Sequence, residues 1–79
     1  MYTVYVLRSQ KDLKRYIGMS SNLENRLRDH EKGLVRSTRN RRHFELIYTE
    51  EFKEKRDAEL REKFFKSGQG RAYLKSIGK

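Results

Sequence analysis

Five residues of this 79-residue sequence could do chemistry together: Tyr5, Tyr16, Arg26, His30 and Glu62. Hydrolysis of a phosphodiester asks for such a set. A base must take a proton from water, a cation must balance charge on the phosphate, and a metal held by at least one carboxylate must polarise an oxygen. Arg26 and His30 are four apart, so they stack on one face of a helix. Arg36, Arg39, Arg41 and Arg42 follow at once, and the forked donors of guanidinium groups match phosphate oxygens. Each residue also has a plainer account. The tyrosines could be ordinary sheet residues, Arg26 and His30 a solvated helix face, and Glu62 one half of an i,i+4 pair with Lys66.

The elements that must position these groups can be read along the chain. Thr3 to Arg8 is rich in β-branched and aromatic residues and reads as a strand. Ser9 to Asp12 is a polar turn, and Arg15 to Gly18 a second strand. A four-residue turn there pairs Arg8 with Leu13 and Tyr5 with Tyr16, which puts both tyrosines on one face. Ser21-Asn22-Leu23-Glu24 has the form of a capping box with Ser21 at its head, opening a helix to about Lys32 that Gly33 can end. Leu23 and Leu27 form its buried stripe, with Arg26 and His30 about 60° around at the edge. Gly33 to His43 reads as a mobile basic loop bordering the site. Phe44 to Phe52 is a third strand.

A second helix runs from about Glu54 to Ser67, with Ala58, Leu60, Phe64 and Phe65 on one face. Glu62 lies about 40° from Ala58 at the rim of that face. Arg61 falls inside the stripe, and either snorkels or has a polar task. A short helix, about Gly70 to Ile77, offers Tyr73, Leu74 and Ile77 for packing. The order β-β-α-β-α-α describes an α+β domain: a small three-stranded antiparallel sheet flanked by helices, residues 1–79 forming one domain. Helices on the sheet allow both strand faces to be apolar, as Val4 and Val6 beside Tyr5 and Leu7 suggest.

Composition narrows the partners. Twenty Lys and Arg against eleven Asp and Glu leave a formal net charge of +9, a field that attracts polyanions, nucleic acid above all. No stretch joins a basic face to a broad apolar one, so a membrane surface is not the expected partner. The absence of cysteine rules out disulfides and thiolate zinc sites. It accords with a reducing compartment, and the short apolar start is no signal segment; a cytoplasmic location is expected.

In their order and spacing, Thr3-Val4-Tyr5, Tyr16-Ile17-Gly18, Arg26-x-x-x-His30 and Ala58-x-x-x-Glu62 resemble the motifs of the GIY-YIG endonuclease superfamily. The resemblance runs from Tyr2 to about Leu74 and is nearest to small single-domain bacterial members related to the excinuclease nuclease domain. Thr3 stands where the first glycine of the motif would be. The asparagine that larger members carry after the glutamate has no counterpart, the last asparagine here being Asn40. The resemblance implies a metal-dependent endonuclease acting on DNA, in repair or processing, with a larger repair complex as a further partner. It places Tyr5 and Tyr16 at the attacking water, with Tyr5 the favoured base and His30 assisting. It gives Arg26 the scissile phosphate and Glu62 a single Mg²⁺ or Mn²⁺. A non-catalytic DNA- or RNA-binding or interaction module on the same fold is the alternative. The catalytic reading expects the polar ends of all five side chains to line one concavity.

Overall fold

The computed structural model describes all residues 1–79. Its elements are β1 (Tyr2–Ser9), β2 (Arg15–Ser20), α1 (Leu23–Glu31), β3 (Phe44–Phe52), α2 (Lys55–Lys66) and α3 (Gly68–Ser76), with a short 3₁₀ turn at Arg39–Arg41. The strands form one antiparallel sheet in the order β2-β1-β3. The expected α+β architecture and the order β-β-α-β-α-α are present.

Strand alternation divides the core. Val4 and Val6 of β1 and Ile17 of β2 pack on one face with Ala58 and Phe65 of α2 and Leu74 of α3. Tyr5, Leu7 and Ser9 point to the other face, and these three are buried along with Val4 and Val6. The central strand is thus apolar on both sides, as expected. A β-bulge between Val6 and Leu7 leaves Ile47 of β3 without a register partner. That extra residue reverses the alternation of β3. Phe44 and Leu46 therefore join the Tyr5 face, where Phe44 meets the His30 ring at 6.2 Å. Tyr48 stays on the other face, its ring 5.9 Å from that of Phe65.

Several local expectations are corrected. The β1–β2 turn spans five residues, Gln10 to Lys14, so Tyr5 pairs with Gly18 and Leu7 with Tyr16. The slip is two residues, an even number, and the tyrosines keep a common face. Asn22, not Ser21, caps α1, its side chain accepting from the Asn25 N–H at 3.2 Å. Leu23 and Leu27 are only half-buried, and the one buried residue of α1 is His30. The segment from Gly33 to His43 is packed rather than loose: Val35 and Thr38 are buried, and Ser9 Oγ donates to the Arg41 carbonyl at 2.7 Å. Leu60, expected in the stripe of α2, is 58% exposed. Ser67 serves both flanking helices, ending α2 by donating to the Phe64 carbonyl and opening α3 by accepting from Gly70 N–H at 3.2 Å. A side chain on buried Gly70 would meet the Phe64 carbonyl, so the sharp α2–α3 corner requires glycine there.

Arg61 has a polar task. Its Nε and Nη2 donate to Glu50 Oε1 and Oε2 at 2.8 and 3.2 Å, and its guanidinium lies over Phe64, Phe65 and Tyr73 at 4.6, 4.7 and 5.2 Å. Tyr48 donates to Glu50 Oε2 at 2.5 Å. Burial pushes the Glu50 carboxyl up, but the Arg61 and Tyr48 hydrogen bonds and the Arg61 charge outweigh it and hold it below its ordinary value. Arg61→Met should cost about 1–2 kcal/mol. That is the lower part of the range for bonds to charged groups, because the two side chains remain 30% and 20% exposed. A carboxyl with a depressed folded-state pKa stabilises above its unfolded value of about 4.3 and loses that contribution as pH falls. Urea titrations at pH 7 and pH 3 should therefore show a smaller gap between wild type and Arg61→Met at pH 3.

Candidate active site

The site is built around one crossing. Tyr5 lies opposite Gly18 in the β1–β2 register, and its ring extends over that glycine. A Cβ at position 18 would stand 2.5 Å from the Tyr5 hydroxyl and 2.6 Å from Cζ. Only glycine leaves the path open. Because β2 is an edge strand, the crossing carries the Tyr5 hydroxyl from mid-sheet toward the rim.

There it meets α1. The Tyr5 hydroxyl is 2.9 Å from His30 Nε2, and His30 Nδ1 is 2.8 Å from Thr38 Oγ1. Tyr5 and His30 are only 1% and 2% exposed. The Tyr16 ring completes the cluster, its centroid 5.0 Å from His30 and 6.4 Å from Tyr5. Tyr16 remains half-exposed. Arg26, one turn before His30, stands within reach of both tyrosine hydroxyls. Its charge is stabilised chiefly by the Tyr5 hydroxyl, against partial burial.

Burial raises the Tyr5 phenol above its ordinary value. Arg26 opposes this by hydrogen bonding and charge, while Tyr16 and Glu62 add to the rise. Burial, then the Arg26 charge, lowers His30, which favours the neutral imidazole. A buried phenol with a raised pKa is poorly suited to take a proton from water. The preference for Tyr5 as the base therefore meets an opposing environment, and Tyr16 is the less buried of the two.

Glu62 sits on α2, which covers the other face of the sheet, yet its charge reaches Tyr5. No strand lies beyond β2 to separate the two faces at that rim. The carboxylate pairs with Lys66 Nζ at 3.2 Å, so the plainer account of Glu62 is realised in full. The solvated-face account of His30 fails on its burial. Three surface hollows divide the set instead of gathering it. His30 lines one between α1 and β3, Tyr16 a second and Glu62 a third. The expectation of one shared concavity is met only as electrostatic proximity.

The loop arginines also divide. Arg41 pairs with Asp12 at 3.0 Å and lies 5.8 Å over the Phe44 ring, and Arg42 donates to the Glu31 carbonyl at 3.0 Å. Both are committed to the fold, because the loop folds back onto the β1–β2 turn at Arg41 and onto the end of α1 at Arg42. Arg36 and Arg39 are exposed and have no ion pair. Sequence reasoning passed over a basic hollow of about 290 Å³ beside Tyr16, lined by Arg15, Ile17, Phe65, Lys66 and Arg71. Arg15 is remote in sequence from Lys66 and Arg71, and no local pattern joins the three.

No group of three or more His, Cys, Asp or Glu side chains could hold a metal ion. Glu62 alone is a donor set that suits Mg²⁺ or Mn²⁺, hard cations that keep several waters and take substrate phosphate oxygens. It does not suit zinc, which takes three or four protein ligands. No helix is long and apolar enough to cross a membrane.

Residues 1–74 match the family model of the GIY-YIG catalytic domain. The chain is 40% identical over 67 residues to the UPF0213 protein CPE1444 of Clostridium perfringens (strain 13 / Type A), covering 84% of this chain and 71% of that one. No solved structure matches at a significant level.

Gly18→Ala should force the Tyr5 ring aside. The expected cost is about 1–3 kcal/mol in urea unfolding, the range for an overpacked core, with loss of the Tyr5–His30 hydrogen bond by NMR. A variant with unchanged stability and an intact bond would show that Tyr5 has another path.

Proposed function

The chain belongs to the GIY-YIG catalytic domain family, and on that basis we propose that it is a divalent-metal-dependent endonuclease hydrolysing DNA phosphodiester bonds, in repair or processing. The observation that carries the reading is that two tyrosines share one cluster on the α1 side of the sheet, Tyr5 buried with its hydroxyl on His30 and Tyr16 half-exposed, with the Arg26 charge acting on both. In this reading Tyr16 contacts the attacking water and, as a phenolate facing Arg26, takes its proton and becomes the phenol. Arg26 also balances the charge that grows on the phosphate oxygens. Tyr5 accepts from Arg26 and holds the guanidinium in place. Glu62 would hold the metal ion, in place of its pair with Lys66. When bound, Mg²⁺ or Mn²⁺ supplies Lewis-acid polarisation of a phosphate oxygen.

The alternative is a nucleic-acid-binding or repair-complex module that does not cleave. The Glu62–Lys66 pair favours it, since a neutralised carboxylate is a weaker metal ligand. Nicking of supercoiled plasmid with Mn²⁺ and with EDTA separates the two. Under the nuclease reading wild type nicks only with the metal. Glu62→Gln abolishes nicking yet leaves metal-free DNA affinity nearly unchanged, because the carboxylate holds the ion and not the DNA. Tyr16→Phe slows cleavage by about 10²–10⁴-fold if Tyr16 is the base; a larger effect from Tyr5→Phe would return that role to Tyr5. No nicking by wild type on duplex, flap, branched DNA or RNA leaves the binding module.

Substrate is held by phosphate contacts, which carry little sequence information. Of the four loop arginines, Arg36 and Arg39 are free to make them. The Arg36→Ala/Arg39→Ala double variant should flatten the slope of log K against log salt by up to about 2 units, since each duplex phosphate contact contributes about 0.9. The loss should be alike on unrelated sequences. An unchanged slope in a salt titration would place the backbone across Lys66 and Arg71 instead.

A further inference from the structure

Thr38 is fully buried, carries no charge, and lies eight residues beyond His30 in a segment whose arginines draw the eye. Its hydroxyl makes two side-chain contacts, with His30 Nδ1 at 2.8 Å and the Val35 carbonyl at 3.3 Å. The proton positions along the Tyr5–His30–Thr38 chain can be worked out from what each group is able to donate.

Two directions are open to a neutral imidazole. In one, Tyr5 O–H donates to Nε2, Nδ1–H donates to Thr38 Oγ1, and Thr38 O–H donates to the Val35 carbonyl. Every buried proton then has an acceptor. In the other, Thr38 O–H donates to Nδ1 and Nε2–H donates to the Tyr5 oxygen. The Tyr5 proton then has nowhere to go, because Arg26 beside it has donors only and no other acceptor bonds that hydroxyl. The Val35 carbonyl already receives the backbone N–H groups of Thr38 and Arg39 at 3.1 and 3.0 Å, so the long Thr38 contact adds little. The decision falls on Tyr5. An unmade hydrogen bond on a buried hydroxyl costs about 1–3 kcal/mol, enough to fix the direction.

We propose that Thr38 is a positioning residue: it accepts from His30 Nδ1–H in the tautomer that the Tyr5 proton selects, and so holds the imidazole with Nε2 turned to the Tyr5 proton and the Tyr5 lone pairs facing Arg26. The hydroxyl of Thr38 thereby orients a guanidinium that it does not touch. Its consequence for catalysis rests on the nuclease reading; the tautomer does not.

The test reads the tautomer directly, from ring ¹⁵N shifts of His30 at pH about 8. Wild type and Thr38→Ser, which keeps the hydroxyl, should show Nδ1–H. Thr38→Val, of the same shape without the hydroxyl, leaves Nδ1–H without its acceptor, so the ¹H and ¹⁵N signals of that N–H should move. An Nε2–H tautomer in wild type, or an unchanged Nδ1–H signal in Thr38→Val, overturns the proposal. If Thr38→Val does not fold, Thr38→Ser decides in its place, Nδ1–H supporting the assignment and Nε2–H overturning it. With Mn²⁺, Thr38→Val should lower kcat about 10- to 100-fold, as for other groups that orient a functional histidine, with KM little changed and Thr38→Ser restoring most of the rate. Failure of wild type to cleave anything counts against the nuclease reading, and leaves the tautomer measurement to judge Thr38.

Discussion

The buried hydrogen bond between Tyr5 and His30 is what α1 and the segment after it are organised around. α1 has a weak apolar stripe, with half-buried leucines, and little else to anchor it. His30 acts as its plug, entering the sheet face among Tyr5, Tyr16 and Phe44. A polar plug is stable only if both ring nitrogens are partnered, since leaving one unmade costs more than making it gains. Tyr5 satisfies one nitrogen and Thr38 the other. The second partner draws residues 33–43 down onto the sheet. The first requires Gly18, because no other residue lets the Tyr5 ring pass.

The opposite face is stabilised by a comparable device. A chain of this size buries only about 60% of its unfolded surface, and nine buried apolar residues make up the core. The Glu50 carboxylate, bonded by Arg61 and Tyr48, ties β3 to α2. The Arg61 guanidinium meanwhile covers three aromatic rings of α2 and α3. Arginine in an apolar stripe is therefore packing as well as charge. Each face of the sheet thus has an apolar layer with one closed polar cluster, and the two clusters have different work. The Glu50 cluster carries stability, while the Tyr5 cluster sits where two helices approach an open edge.

That edge explains how residues from opposite faces come within electrostatic reach. In the middle of a sheet, a helix on one face is screened from side chains on the other. At β2 the sheet ends, Tyr5 has already been carried across Gly18, and the Glu62 charge is felt at its hydroxyl. Arg26 favours phenolate and Glu62 opposes it, and Lys66 competes for Glu62. A polyanionic strand and a divalent cation would alter each of these interactions in turn.

The sequence by itself determined the element order, the span of β3, the common face of the two tyrosines and the family, because these rest on local periodicity and on motif order. Period-two alternation tolerates an even register slip, so the face survived a wrong turn length. It could not determine the depth of His30, since helical spacing gives an angle and not what lies opposite. The same limit hid the capture of Arg41 by Asp12, the path of Tyr5 over Gly18, the Arg61–Glu50 pair and the place of Thr38. Each of these depends on residues brought together by sheet register or by a loop folding back. Only the tertiary structure decided them, because hydrogen bonds and burial are properties of the neighbours a residue acquires, and those neighbours are remote in the chain.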